Sequence, residues 1–286
     1  MTAVSEQDAA QPDADRADIT LVVDGGVAWI TLDRPEAANA MTHRQREQII
    51  AWLDLANEDP AVRCVVIGAT GRFFCTGADL RAQETQQART ARSAQLPEKI
   101  VGDVRRKMLN GAIRLMNAVL DCDRPVIAAV QGTAAGIGAH LAFCCDLVVA
   151  AEEAKFIEVF ARRGLVADGL GTWLLPRLIG LQRAKELILL AEDIPAARAR
   201  EIGLVTRVVP AAALHDTVAE LAQRLADGPT RAHGANKWLL NRSLDVERHV
   251  LAQEEAWIVD ALSYTEDSAE GVSSFVERRT PRFRGV

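Results

Sequence analysis

The chain changes character once, near residue 210. Before that point, short runs rich in Val, Ile and Ala alternate with segments of helical spacing; after about Pro210 only helical periodicity remains, over 211–226, 230–243, 247–262 and 267–278. Strands alternating with helices restrict the first part to an α/β arrangement, because each strand must bury its faces under intervening helices. The tail carries Trp238, Leu239, Val250, Trp257, Ile258 and Phe275. That is more apolar surface than four solvated helices keep, so the tail either covers the core or packs against another subunit.

Local signals divide the first part further. Residues 1–17 are rich in Ala, Asp and Gln without an apolar period, and such a segment cannot bury enough surface to offset its ordering entropy, so it reads as a disordered leader. The runs 19–23 and 27–32 flank Asp24-Gly25-Gly26, a hairpin signature. A helix is expected from the N-cap Thr42 to Asn57, a buried strand over 63–68, and a mobile polar stretch over 81–99. Helical spacing over 107–120, a buried strand over 125–130, a Gly/Ala loop over 132–138 that opens a helix, and a strand over 146–151 follow. The expected organisation is a leader (1–17), an α/β core (18–209) and a helical oligomerisation region (210–286).

Composition limits what such a chain binds. A formal charge of -6 lacks the basic surplus that phosphate contacts require, which argues against nucleic acid as a partner. No run approaches the roughly 20 apolar residues of a membrane span, and the first residues lack the features of a signal peptide, so a soluble cytoplasmic protein is expected. The five cysteines Cys64, Cys75, Cys122, Cys144 and Cys145 form neither a disulfide framework nor a zinc-type pair. Lysine supplies only five of the 33 basic residues, so a phosphate contact would use an arginine fork.

Two loops carry the chemistry. One spans Gly71 to Leu80 after the strand at 63–68; the other spans Gln131 to His140 after the strand at 125–130. Either alone is explained by glycines that permit turns and close packing. Side by side, however, the two can aim one backbone N–H each at a single oxygen, and such donors contribute roughly 3 to 4 kcal/mol apiece to stabilising an oxyanion. A helix N-terminus at the second loop adds positive potential.

From about Ile19 to Phe283 the chain resembles the enoyl-CoA hydratase/isomerase (crotonase) superfamily, in four ordered blocks and in a tail segment similar to the family's C-terminal helix. They are Phe74-Cys-Thr-Gly-Ala-Asp-Leu80, the run from Arg124-Pro-Val-Ile-Ala-Ala-Val to Ala139, Gly164-Leu-Val-Ala-Asp-Gly-Leu-Gly-Thr-Trp-Leu-Leu-Pro, Glu201-Ile-Gly-Leu-Val-Thr, and Glu270-Gly-Val-Ser-Ser-Phe-Val-Glu-Arg-Arg. The resemblance implies a spiral of ββα turns forming two roughly perpendicular sheets, a C-terminal helical trimerisation region, and assembly as a homotrimer or homohexamer. It implies an acyl-CoA substrate, whose coenzyme A belongs to the substrate, and no separate cofactor or metal. Carried over by position, the oxyanion donors are the backbone N–H groups of Ala78 and Ile137, the latter standing where the family usually has glycine. Thr76 lines the adenine pocket through its backbone; Arg72, Phe74, Arg81 and Arg278 fall at CoA-binding positions. For the arginines the alternative is solvated surface charge, and Cys75 is expected to be a small apolar filler.

The proton-transfer residues depart from the family pattern. The two positions that hydratases fill with glutamate read His140 and Phe160, and phenylalanine cannot move a proton. Glu158 substitutes only if the backbone shifts by two residues. Asp168 occupies a position that isomerase-like members use as catalytic acid/base, and burial beside Trp173, Leu170 and Phe160 would raise its pKa toward neutrality. Its other role would be to cap a helix beginning near Gly169. His140, one helical turn from Ile137, is either a second acid/base or a hydrogen-bonded core residue. The expectation is an enoyl-CoA isomerase with Asp168 and His140 catalytic. The alternatives are a hydratase with a His/Asp constellation and a non-catalytic acyl-CoA binder; an Asp168 nucleophile in a hydrolase or dehalogenase has no other support in the sequence.

Overall fold

The computed structural model describes residues 18–79 and 101–286; the leader at 1–17, the polar stretch at 81–99 and Arg81 lie outside the described residues. The hairpin β1 (Ile19–Asp24) and β2 (Val27–Leu32) forms as expected, with the two strands antiparallel. Beyond it, β3 (Cys64–Ala69), β5 (Val126–Val130), β7 (Leu147–Ala151) and β10 (Arg207–Val209) extend the sheet in parallel, in the order β1-β2-β3-β5-β7-β10.

A second sheet consists only of three-residue strands: β4 (Phe73–Cys75), β6 (Thr133–Ala135), β8 (Lys155–Ile157) and β9 (Asp193–Pro195), in that order. Each of β3, β5 and β7 in the large sheet leads within a few residues into β4, β6 and β8 of the small one. This repeated step gives the two sheets of the fold. The loops expected over 71–80 and 131–140 therefore each begin with a strand. Three residues are too few to show a two-residue period, and these strands exist because segments far apart in the chain pair with one another.

Both faces of the large sheet are covered. In β3, Val65 and Ile67 enter one apolar cluster with helices α1 (His43–Glu58), α3 (Ala112–Leu120) and α4 (Ile137–Cys144), while Cys64 and Val66 enter another. The second cluster is closed by α8 (Leu214–Ala226), whose Leu214, Val218, Leu221 and Ala222 follow helical spacing. Burial on both faces explains why the strands read as unbroken apolar runs.

Helix ends follow local chemistry. Thr42 caps α1 in a capping box with Gln45. The single helix expected over 107–120 is instead two, α2 (Asp103–Leu109) and α3, broken at Asn110-Gly111, where glycine and asparagine weaken continuation. Helices α5 (Gly171–Ile179), α6 (Leu181–Leu190) and α7 (Ala196–Ile202) complete the α/β part.

The tail contains α9 (Thr230–Arg242), α10 (Arg248–Leu262) and α11 (Glu266–Glu277). Buried Lys237 fastens α9 to the core through Asp146 at 2.9 Å and the Val119 carbonyl at 2.9 Å. Arg63 of the core donates to the Gly228 and Phe283 carbonyls, so the last residues dock as well. Trp257 (72% exposed) and Phe275 (85%) nevertheless face outward, with Leu240, Leu244, Val272 and Val276. Among the described residues, no helix is long and apolar enough to cross a membrane.

Candidate active site

Parallel pairing of β4 with β6 sets Phe73 opposite Thr133 and Cys75 opposite Ala134, so the loops after these strands leave the small sheet side by side. They touch through the main chain. A Cβ on Gly138 would stand 2.2 Å from the Cys75 carbonyl oxygen, so only glycine permits α4 to start this close to β4. The Ala78 loop is pinned from outside: Met41 donates to the Gly77 carbonyl at 2.8 Å and Asp79 donates to the Met41 carbonyl at 3.0 Å. Ile137 is the first residue of α4, where an N–H has no carbonyl within its own helix. Among the described residues neither the Ala78 nor the Ile137 N–H donates a main-chain hydrogen bond, and each lies on one of two contacting loops.

A residue absent from the sequence expectations sustains this arrangement. Asn39 is fully buried at φ +51, a left-handed conformation that asparagine tolerates. Its side-chain amide donates to the Thr70 carbonyl at 2.9 Å and the Phe73 carbonyl at 2.7 Å, and its oxygen accepts from the Arg34 N–H at 2.8 Å. It thereby fastens the segment carrying Met41 to the turn between β3 and β4. Its pairing with Pro35 four residues earlier is a turn signal in the sequence, but not a signal of what the turn touches.

The proposed CoA contacts are dispersed. Arg72 is exposed, its guanidinium 5.3 Å from the centre of the Phe73 ring. Phe74 is wholly buried in the main core, so its side chain packs the fold and cannot face a ligand. Thr76 spends its hydroxyl on the Ala38 carbonyl at 3.1 Å, leaving its backbone as the group on offer. Arg278 is exposed at the C-terminal end of α11, in the tail. Burial pushes the Cys75 thiol up to about 11, which fits a packing role.

The polar centre lies behind these loops. His140, in the second turn of α4, is fully buried, and its Nε2 lies 3.1 and 3.0 Å from the two carboxylate oxygens of Glu158, itself 1% exposed. Phe160 stacks on the ring, 5.4 Å between centroids at 18°. Asp168 follows in the turn before α5 and is half-buried. Burial pushes its carboxyl above the ordinary 3.8; His140 opposes that rise and Glu158 adds to it, so the three groups sense one another. The capping role does not hold: α5 begins at Gly171 with Leu170 at its N-cap, no side chain among the described residues caps it, and the Asp168 carbonyl accepts from the Gly171 N–H.

His140 thus pairs with Glu158, which the sequence offered only under a backbone shift, and both influence the Asp168 carboxyl. The missed signal is the two-residue alternation that runs from β8 into the residues after it: Phe156, Glu158 and Phe160 are all buried. A carboxylate flanked by phenylalanines on an inward face must find a partner. A cavity of about 350 Å³ adjoins through Leu170; Leu120, Trp173, Trp238 and Asn241 also line it. Neither Ala78, Ile137 nor Asp168 belongs to its lining. Among the described residues, no cluster of three or more His, Cys, Asp or Glu side chains is placed to hold a metal.

Comparison with known proteins agrees with these features. The family model for enoyl-CoA hydratase/isomerase matches residues 23–286. A "probable enoyl-CoA hydratase" of Rhodobacter capsulatus is 36% identical over 263 residues, 91% of this chain and 95% of that protein. The 1,2-epoxyphenylacetyl-CoA isomerase of Escherichia coli is 36% identical over 273 residues, 92% of this chain and 97% of that protein. The solved structure of an enoyl-CoA hydratase from Bacillus anthracis superposes with a TM-score of 0.84 at 32% identity, covering 94% of this chain and all (100%) of that one. Two sheets built from paired long and short strands, two contacting main-chain loops and this similarity over nearly the whole chain place the protein in the enoyl-CoA hydratase/isomerase family.

Proposed function

We propose that the protein is an enoyl-CoA isomerase in which Asp168 moves a proton between two carbons of an acyl-CoA thioester. The observation that carries this reading is the setting of Asp168: one half-buried carboxyl, pushed toward its acid form by burial, beside a buried His140–Glu158 pair. A general base and acid in one group needs a pKa raised toward the working pH, and burial supplies that direction. The similarity to an isomerase named for an acyl-CoA substrate supports isomerisation of an acyl-CoA as the reaction class.

In the forward step the Asp168 carboxylate takes the γ-proton of a 2-enoyl thioester, and the C–H electron pair passes into a dienolate with its charge on the thioester oxygen. The N–H groups of Ala78 and Ile137 hold that oxygen, and the N-terminus of α4 adds favourable potential. Asp168, now an acid, returns the proton to the α-carbon, and the electron pair settles as the 3-enoyl product. The coenzyme A is part of the substrate and no further cofactor enters. Arg72, the Thr76 backbone, Arg81 and Arg278 contact the CoA portion, while the end of the acyl group points past Leu170. The working form is a homotrimer or homohexamer, a reading supported by the outward apolar side chains of α9–α11.

Hydration would need a second proton-transfer group facing a water. Phe160 cannot serve, and Glu158 is engaged with His140. The deciding experiment offers 3-enoyl-CoA and 2-enoyl-CoA separately and follows the conjugated enoyl absorbance. An isomerase gains absorbance on the first. Loss of absorbance on the second with a 3-hydroxyacyl product would establish a hydratase, and binding without either change would establish a non-catalytic binder. Asp168→Asn should abolish turnover while keeping ligand affinity within about 3-fold, against the 10²- to 10⁴-fold reach of general acid/base help.

A further inference from the structure

Glu158 has no role in the mechanism above, yet it is among the most deeply buried charged side chains of the described protein. A carboxylate so placed is strongly destabilising unless it is paired and hydrogen-bonded. Its partner is His140 Nε2, near-equidistant from both oxygens at 3.1 and 3.0 Å. Against a Glu158 carboxylate only a protonated Nε2 is attractive in that geometry, because a bare Nε2 would set a lone pair against two acceptor oxygens. Which imidazole nitrogen carries the proton is decided by the hydrogen bond the other groups demand of it.

The second nitrogen has a different environment. His140 Nδ1 is buried and has no hydrogen-bond partner among the described residues. It faces the Gly169 turn, 3.5 Å from the point a Cβ on Gly169 would occupy, next to Asp168. Phe160 covers one face of the ring. The ionisable groups about His140 are Glu158, paired with its Nε2, and Asp168, whose carboxyl His140 influences; α3 brings Ala112 and Met116 to the Gly169 turn, and β4 brings Cys75 to Gly138. A buried ring nitrogen without a hydrogen-bond partner is costly and calls for an explanation.

We propose that Glu158 is a positioning residue for the isomerisation: it holds His140 with Nε2 protonated, so that Nδ1, on the Asp168 side, is the ring position open to the proton that Asp168 carries. Resting on the isomerase reading, this assigns Nδ1 as the acceptor that steadies protonated Asp168 between the two carbon-proton transfers. The proton count is unchanged: the proton leaves the γ-carbon for the Asp168 oxygen, is shared with Nδ1, and leaves that oxygen for the α-carbon. Glu158 never touches substrate and acts through the ring.

The test reads the ring itself. In ¹⁵N-histidine-labelled full-length protein without substrate, His140, assigned by the signals lost in His140→Gln, should show a protonated Nε2 throughout the pH range of folding. Glu158→Gln, which keeps shape but offers both a donor and an acceptor, should give a mixture of tautomers. With the acyl-CoA turned over by wild type, the same variant should lose about 10-fold or more in kcat with KM within about 3-fold. An unprotonated Nε2 in wild type, or identical tautomers and kcat in Glu158→Gln, would overturn the proposal. Absence of isomerase turnover in wild type would refute the function reading alone, because the tautomer is measured without substrate.

Discussion

Gly171 leaves no space for a side chain beneath the His140 ring: a Cβ there would stand 2.3 Å from both Cε1 and Nε2. The first residue of α5 and the second turn of α4 are in this way locked against each other, and the ring has one available seat, on Glu158.

Gly171→Ala should push the ring off that seat. Overpacking of this kind costs about 1–3 kcal/mol, seen as a lower urea midpoint, and kcat should fall with it. A variant with wild-type midpoint and kcat would show that the ring has room to spare.

Asp168→Asn should separate stability from activity. A carboxyl raised by burial binds its proton more tightly in the folded state, so the stability it contributes is present below the unfolded value of 3.8 and lost as pH rises through the folded one. The amide escapes that loss. The variant should therefore match wild type near pH 3.8 and melt at an equal or higher temperature at pH 7, measured by thermal unfolding at both pH values. A lower melting temperature than wild type at pH 7 would mean that His140 stabilises the carboxylate more than burial disfavours it.

Asn39→Ala should cost about 2–3 kcal/mol, since the Thr70 and Phe73 carbonyls and the Arg34 N–H lose their partner together. Asn39→Asp should be worse, replacing the donor to two carbonyls by a buried acceptor. Equilibrium urea unfolding ranks the pair; the reverse order would remove Asn39 from its fastening role.

Trp257→Asp combined with Phe275→Asp should dissolve the assembly without unfolding the chain, because both side chains are exposed in the single chain. Sedimentation should show wild type as a trimer or larger and the variant as a monomer with unchanged far-UV circular dichroism. A monomeric wild type would contradict the reading of the outward apolar face.

The long strands, the hairpin and the tail helices were legible because their side chains repeat with the period of the element they form. Thr42 was legible because a cap is a local hydrogen bond. The small sheet was not: β4, β6, β8 and β9 have three residues each and owe their existence to partners 20 to 60 residues away. Phe74 shows the cost of carrying a role over by position, since its side chain proved to belong to the core.

What the linear order determined is the alternation that demands an α/β core, the two glycine loops, and a resemblance dense enough to identify the family. Only the folded chain could decide that Glu158 reaches His140 from 18 positions away and that, among the described residues, Nδ1 is left without a hydrogen-bond partner against the Gly169 turn. Periods and caps are written in neighbouring residues; a buried charge acquires its partner only when two elements pack, and that meeting has no local signature.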